Sequence, residues 1–296
     1  MQLGKLGVWS FLDALAAPEA ARFARRVEEL GYAALWIPEA VGREALSAAS
    51  WLLAGTNRLV VATGIANIYA RDPITMAAGA KTLAEQSGGR FLLGIGVSHK
   101  PLVEGVRGHD ASRPLEAMRQ YLDRMQAAPY TAVAPKEDPP IVIGALHPRM
   151  LALAAERTQG AHPYLVPPEH TAFAREQMGP DAWLCVEQKV LLETDAAKAR
   201  SVARQAIAMY LGLPNYRRNL RRFGYGDEDL DGGGSDRLVD AVVAWGSEEA
   251  IASRIKAHFD AGATHVCIQP LHPEGLPVPD EKVLECFAPA RGSSLS

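Results

Sequence analysis

The chain has 296 residues, of which 48% are hydrophobic and 22% charged, with 31 Lys and Arg against 34 Asp and Glu. That is the composition of a soluble globular protein, and a net charge of −3 gives no positive field to draw in nucleic acid or an anionic membrane, so neither is expected as a partner. Three cysteines, Cys185 and Cys267 in apolar runs and Cys286 near the end, lack metal-ligand spacing and read as reduced core thiols of a cytoplasmic protein.

No apolar leader precedes the first strand-like run, and nothing approaches the ~18 apolar residues of a membrane span. Leu6–Phe11 reads as a strand, followed by a helix opened by Pro18 and Glu19 and ended by Gly31. Ala34–Ile37 is a second strand, Ala45–Ala54 a helix and Leu59–Ile65 a third strand. Asp72 and Pro73 form an N-cap with proline at the first helical position, opening a helix to Gln86 that Gly88 and Gly89 stop. Phe91–Ile95 is strand four, followed by a long loop and a helix from Ser112 to Ala127.

Pro140–Ile143 is strand five with a helix over Pro148–Arg157, and Ala161–Leu165 is strand six with a helix over Pro167–Met178. Trp183–Leu192 is strand seven, led into a helix by Thr194 and Asp195. The segment Leu211–Asp236, with Arg217, Arg218, Arg221, Arg222 and three consecutive glycines, breaks the rhythm and reads as an irregular insertion over the barrel. A helix opened by Ser247, strand eight over Thr264–Gln269 and a last helix over Asp280–Phe287 complete the pattern, with a frayed Ser-rich tail after Arg291.

Eight mostly apolar strands alternating with helices predict parallel βα units covered on both faces. The expected architecture is one (β/α)8 TIM barrel over residues 1–296. An open doubly wound sheet is the rival, but Gly94-Ile95-Gly96 is followed by His99 where a third phosphate-loop glycine belongs, and the next helix begins too late. Catalytic residues of a barrel gather at the C-terminal strand ends, here Trp9, Ser10, Glu39, Gly64 to Asn67, Val97 to His99, Gly144 to His147, His162 to Tyr164 and Gln269. No metalloprotease or serine-hydrolase motif is present, and the five tryptophans read as core, with Trp9 as a pocket wall.

The run from Thr63 to Pro73 resembles the strand-three segment of luciferase-like oxidoreductases that use coenzyme F420, an 8-hydroxy-5-deazaflavin. The resemblance implies a bulge with a non-proline cis peptide, by match Gly64–Ile65, behind the tricyclic ring. Arg90 to His99 is similar to the family's strand-four segment, whose last positions Val97, Ser98 and His99 would approach the ring. His99 stands where some relatives carry an acid, and it can exchange protons near neutral pH. Gly144-Ala145-Leu146-His147-Pro148-Arg149-Met150 resembles the family's phosphate loop at a helix N-terminus. The neighbouring stretch from Gly160 to His170, including Tyr164, would add contacts.

Relatives place a polar residue by the ring after strand two. This chain has Pro38-Glu39-Ala40 there, without the histidine of some members, which leaves His99 and Glu39 as proton-transfer candidates. Gly64, Ile65, Asn67, Val97, Ser98, Gly144, Ala145, Leu146, His147 and Tyr164 are then the expected coenzyme contacts, and Trp9 and Ser10 the substrate pocket. The arginines 217/221 and 218/222 would form a basic face that meets the coenzyme's acidic tail, meets an anionic substrate or is merely solvated. The expected function is coenzyme F420-dependent hydride transfer to or from a small molecule, in a homodimer as relatives commonly form. An FMN-dependent monooxygenase and a non-catalytic coenzyme-binding protein are the alternatives.

Overall fold

Local signals place most element boundaries. Asp72 accepts from the amides of Ile74 and Thr75 and so starts the helix Pro73–Gln86. Asp195 caps Ala196–Leu211 through the Lys198 amide, and Ser247 caps Glu248–Asp260 through that of Ala250. Gly31, at φ 85°, takes the left-handed turn after the helix Ala17–Glu29 that a side chain would resist.

The computed structural model describes residues 1–291. Its strands are β1 Leu6–Trp9, β2 Ala34–Ile37, β3 Val60–Thr63, β4 Ala66–Asn67, β5 Phe91–Gly96, β6 Ile141–Ile143, β7 Gly160–Ala161, β8 Trp183–Leu191, β9 Val243–Trp245 and β10 His265–Pro270. All pair in parallel, and β8 also pairs β10, which pairs β1, so the sheet closes on itself. Leaving aside the short β4 and β9, eight strands make the ring of a (β/α)8 barrel, with helices between them.

Side chains alternate between two cores, as parallel strands covered on both faces require. Val8, Leu35, Val61 and Phe91 pack outward against the helices, while Trp9, Trp36, Ala62, Leu92, Val142, Cys185 and Cys267 fill the barrel. Cys185 and Cys267 are buried thiols and Cys286 is half-buried. Trp51, expected in the core, is half exposed with its indole N–H on the Ala17 carbonyl. Among the described residues no helix is long and apolar enough to cross a membrane.

Three expectations need correction. Strand six, expected over 161–165, stops at Ala161. Pro163 has no N–H for a ladder, and Leu165 turns to φ 55° and donates its amide to the Glu187 carboxylate, 3.1 Å away. The segment 211–236 is helical rather than irregular, with helices Pro214–Arg222 and Asp227–Leu230. The helix Asp236–Val242 then leads directly into β9, an unanticipated strand, which joins β8 on the edge that β7 leaves free. The loop after β5 holds a π-helical turn over Pro101–Val106. The tail beyond Arg291 lies outside the described residues.

Candidate functional site

The C-terminal end of the barrel is organised around the break between β3 and β4. The Gly64–Ile65 peptide bond is cis, and each side of it is tied down by a different strand. The Trp9 indole donates to the Gly64 carbonyl at 3.0 Å, and the Glu39 amide donates to the Ile65 carbonyl at 3.3 Å. Thr63 Oγ1 both donates to the Gly94 carbonyl and accepts from the Gly94 amide, at 2.7 and 2.9 Å. The glycines of β5 make this approach possible. A Cβ on Gly94 would lie 2.0 Å from the Thr63 carbonyl oxygen, and one on Gly96 would lie 2.7 Å from the Ile65 side chain. Gly94 and Gly96 are therefore explained by close strand packing, not by phosphate binding.

Ile65 also reaches the next strand end. A Cβ on Gly144 would sit 3.3 Å from Ile65 Cγ2, so the bulge side chain rests over two glycines, one from β5 and one from the β6 loop. Beyond Gly144, the amides of Ala145, Leu146 and His147 donate no hydrogen bond among the described residues, although Ala145 and Leu146 are buried. His147 caps the helix Pro148–Arg157 without a side-chain bond. Successive unused N–H groups at a helix N-terminus form a positive concavity that suits an anion.

Ser98, a non-glycine at φ 55°, follows β5 and leads into His99. Strained backbone of this kind persists only where surrounding packing enforces it. His99 is largely buried, its Nδ1 has no partner among the described residues, and its ring lies 5.4 Å from that of Tyr216. Burial lowers its pKa below the usual 6.5, with the Asn215 side chain working the other way, so the imidazole is neutral at pH 7. The pKa of His147 is lowered by burial and then by Arg222 and Arg218, with the Asn215 backbone working the other way, and neither ring nitrogen makes a full hydrogen bond among the described residues. Asn67 accepts from the Tyr69 amide and leaves Nδ2 without a partner among the described residues, in a fully buried position.

The other expected site residues occupy more structural places. Glu39 accepts from the amides of Asn67 and Ala45, at 2.7 and 3.3 Å, and forms a buried ion pair with Arg71. These bonds tie Glu39 to the β4 segment, to the start of the helix Ala45–Ala54 and to Arg71. Burial works against the charge of Arg71, but Glu39 and then Glu44 raise its pKa on balance. Trp9, expected as a pocket wall, lies inside the barrel beneath the bulge and is 2% exposed. The Tyr164 hydroxyl donates to Gln269 Oε1 at 3.0 Å and meets that of Tyr210 at 2.9 Å, so it is already satisfied. Val97 follows β5 and is half-buried at the rim. Ser10 opens instead onto a cleft of about 460 Å³ lined by Phe11, Val202, Gln269 and Leu271.

Sequence reasoning passed over the buried Glu187 and Lys189, whose charged groups lie 3.3 Å apart inside the barrel. The Lys189 ammonium sits 3.8 Å from the centre of the Tyr164 ring. Burial raises the Glu187 pKa and lowers that of Lys189, each opposed by its partner. A signal was available, because Cys185, Glu187 and Lys189 alternate along β8 and must share one face. It also missed Arg71 as the partner of Glu39, and Asn215 and Tyr216, which bring the helix Pro214–Arg222 over His99. No group of three metal-ligating side chains is formed among the described residues.

A sequence model of the family described as luciferase-like monooxygenase matches residues 5–265. A protein of Mycobacterium tuberculosis (strain ATCC 25618 / H37Rv) with the provisional name coenzyme F420-dependent oxidoreductase is 28% identical over 255 residues, covering 72% of this chain and 73% of its own. The 5,10-methylenetetrahydromethanopterin reductase of Methanolobus tindarius is 27% identical over 294 residues, covering 83% of this chain and 88% of its own. Among solved structures, an F420-dependent secondary alcohol dehydrogenase in complex with an F420-acetone adduct superposes with a TM-score of 0.78 at 13% identity, over 97% of this chain and 98% of that one. That likeness shows a shared fold.

Proposed function

The chain belongs to the luciferase-like monooxygenase family, and on that footing we propose that it is an oxidoreductase using coenzyme F420 to exchange a hydride with a small organic substrate. One observation carries the reading: Ile65, at the cis bond, packs over Gly144, so the bulge and the unused amides of residues 145–147 form one continuous surface. A planar ring and a phosphate on one ligand need these two features side by side. The relative named for F420 that is 28% identical favours the deazaflavin over FMN.

The residues present fit such a group. Three amides that donate to nothing among the described residues, with one ring N–H of His147, answer a phosphate, and Asn67 Nδ2, without a partner among the described residues, offers a donor beside the bulge. When bound, the deazaflavin would supply hydride exchange at its C5 without activating oxygen. Ile65, with Val97 and Ser98, would support the ring. His99, neutral and with a free Nδ1, is the group to accept or return the proton that accompanies hydride transfer. Glu39 acts at one remove, holding Asn67 and the bulge. The cleft beside Ser10 and Gln269 is the substrate's place, and its mixed lining, with Phe11, Val202 and Leu271 beside Asp13, Gln205 and His272, suits a small molecule with both apolar and polar groups.

Spectral titration tests the reading. Saturable F420 binding with weak or no FMN binding is expected, followed by bleaching of the bound coenzyme when a reducing substrate is found. Tight FMN binding without F420 binding would replace this reading with a flavin monooxygenase. F420 binding with no turnover across a broad alcohol and aldehyde panel would favour a coenzyme-binding protein.

A further inference from the structure

The helix Pro214–Arg222 carries two kinds of arginine. Arg217 bonds Asp227 and Asp231, and Arg221 pairs with Asp227, so that side is neutralised. Arg218 and Arg222 meet no carboxylate among the described residues, and both lie close enough to His147 to push its pKa down. The spacing puts Asn215, Arg218, Asn219 and Arg222 on one face, the face that carries Asn215 toward His99 and His147. Asn219 is fully buried, yet neither its amide nitrogen nor its oxygen has a partner among the described residues. A buried side-chain amide with both ends unsatisfied costs stability, and native proteins retain few of them. His147 shares the condition in part, with neither ring nitrogen making a full hydrogen bond among the described residues.

Uncompensated positive charge and buried unmet donors on one surface describe an anion site larger than a single phosphate. We propose that this helix face recognises the carboxylate-bearing tail beyond the phosphodiester of the deazaflavin coenzyme, with Arg218 and Arg222 meeting the carboxylates and Asn219 and His147 completing the cradle. The inference rests on the F420 reading and goes further: these residues select F420 over FMN, which carries no such tail.

The test compares the full coenzyme with the deazaflavin 5′-phosphate, which lacks only the tail, and with the nucleoside, which lacks phosphate and tail, by fluorescence titration of wild-type protein, R218Q/R222Q and N219L. The double variant should bind the full coenzyme about fivefold more weakly or worse, as expected for losing partly exposed charge contacts, and its affinity should depend less on salt. Affinity for the 5′-phosphate and for the nucleoside should stay unchanged, and an equal loss for the 5′-phosphate would assign the face to the phosphate and overturn the tail assignment. N219L should also bind the full coenzyme more weakly while melting roughly 2–4 °C higher, because an unsatisfied buried amide is gone. Full-coenzyme binding by R218Q/R222Q equal to wild type, or an equal loss for the nucleoside, would overturn the assignment and leave the F420 reading standing. A loss seen only in substrate KM would assign the face to an anionic substrate and equally overturn it. Failure of wild-type protein to bind either deazaflavin would remove both readings.

Discussion

In the proposed reaction His99 is the proton-transfer group, and burial bears on its protonation. Its pKa lies below 6.5 because desolvation penalises the cation. The neutral, proton-accepting form therefore persists through pH 7 and is lost only as pH falls below the usual histidine value. H99Q should lower turnover by roughly 10²–10⁴-fold, the range for removing a general acid or base, while coenzyme affinity changes little. The acid limb of the wild-type kcat/KM profile should fall below pH 6.5 and disappear in the variant. Steady-state kinetics across pH, alongside titration, check both statements, and an acid limb centred above pH 7 would contradict them. The candidacy of His99 was legible because its position after a glycine-rich apolar strand is a barrel-mouth position. The second candidate, Glu39, looked equivalent in sequence. Its commitment to Arg71, 32 residues away, is a tertiary fact that no local pattern carries.

At the scale of elements, the glycines of β5 are the sharpest case. In sequence they imitate a phosphate loop. In the fold, Gly94 lies so close to Thr63 that any side chain would meet a backbone oxygen. G94A should destabilise the protein by ~3 kcal/mol, at the upper end of overpacking, whereas G105A, with nothing within 4 Å of a new Cβ, should be near neutral. Denaturant midpoints decide this, and equal midpoints for the two would contradict it.

Elements with their own punctuation were readable to the residue. Ala45–Ala54 and Pro148–Arg157 were, and so was Pro73–Gln86 with its Asp72 cap. Errors fell where long-range bonds overrule local preference. Leu165 leaves strand geometry for a carboxylate on β8. The segment 211–236 hides helices of nine and four residues behind arginines and glycines, because its helical order is supported by ion pairs such as Arg217 to Asp231. The cis bond at Gly64–Ile65 was legible only through family resemblance, since the residues read equally well as an ordinary strand end.

For the whole molecule, the barrel and its surrounding helices bury four histidines as neutral groups. His162, His170 and His265 are held down to about 4 and His258 to about 3, in each case chiefly by burial. Unfolded histidines take up protons near 6.5, so between that pH and about 4 the unfolded chain binds more protons than the folded one, and stability falls with pH. Each group contributes on the order of 1.4 kcal/mol per pH unit across that window. The melting temperature should be nearly flat above pH 7 and drop steeply from 6.5 toward 4. A melting temperature constant over that interval would show that these rings are not buried neutral.

The central claim is that one ligand lies across the bulge and the helix N-terminus at the barrel mouth. A crystal structure of the protein soaked with F420 tests it most directly. The claim predicts phosphate density within hydrogen-bond reach of the amides of residues 145–147 and the tricyclic ring against Ile65. Density confined to the cleft beside Ser10 and Leu271, or at the opposite end of the barrel, would contradict it.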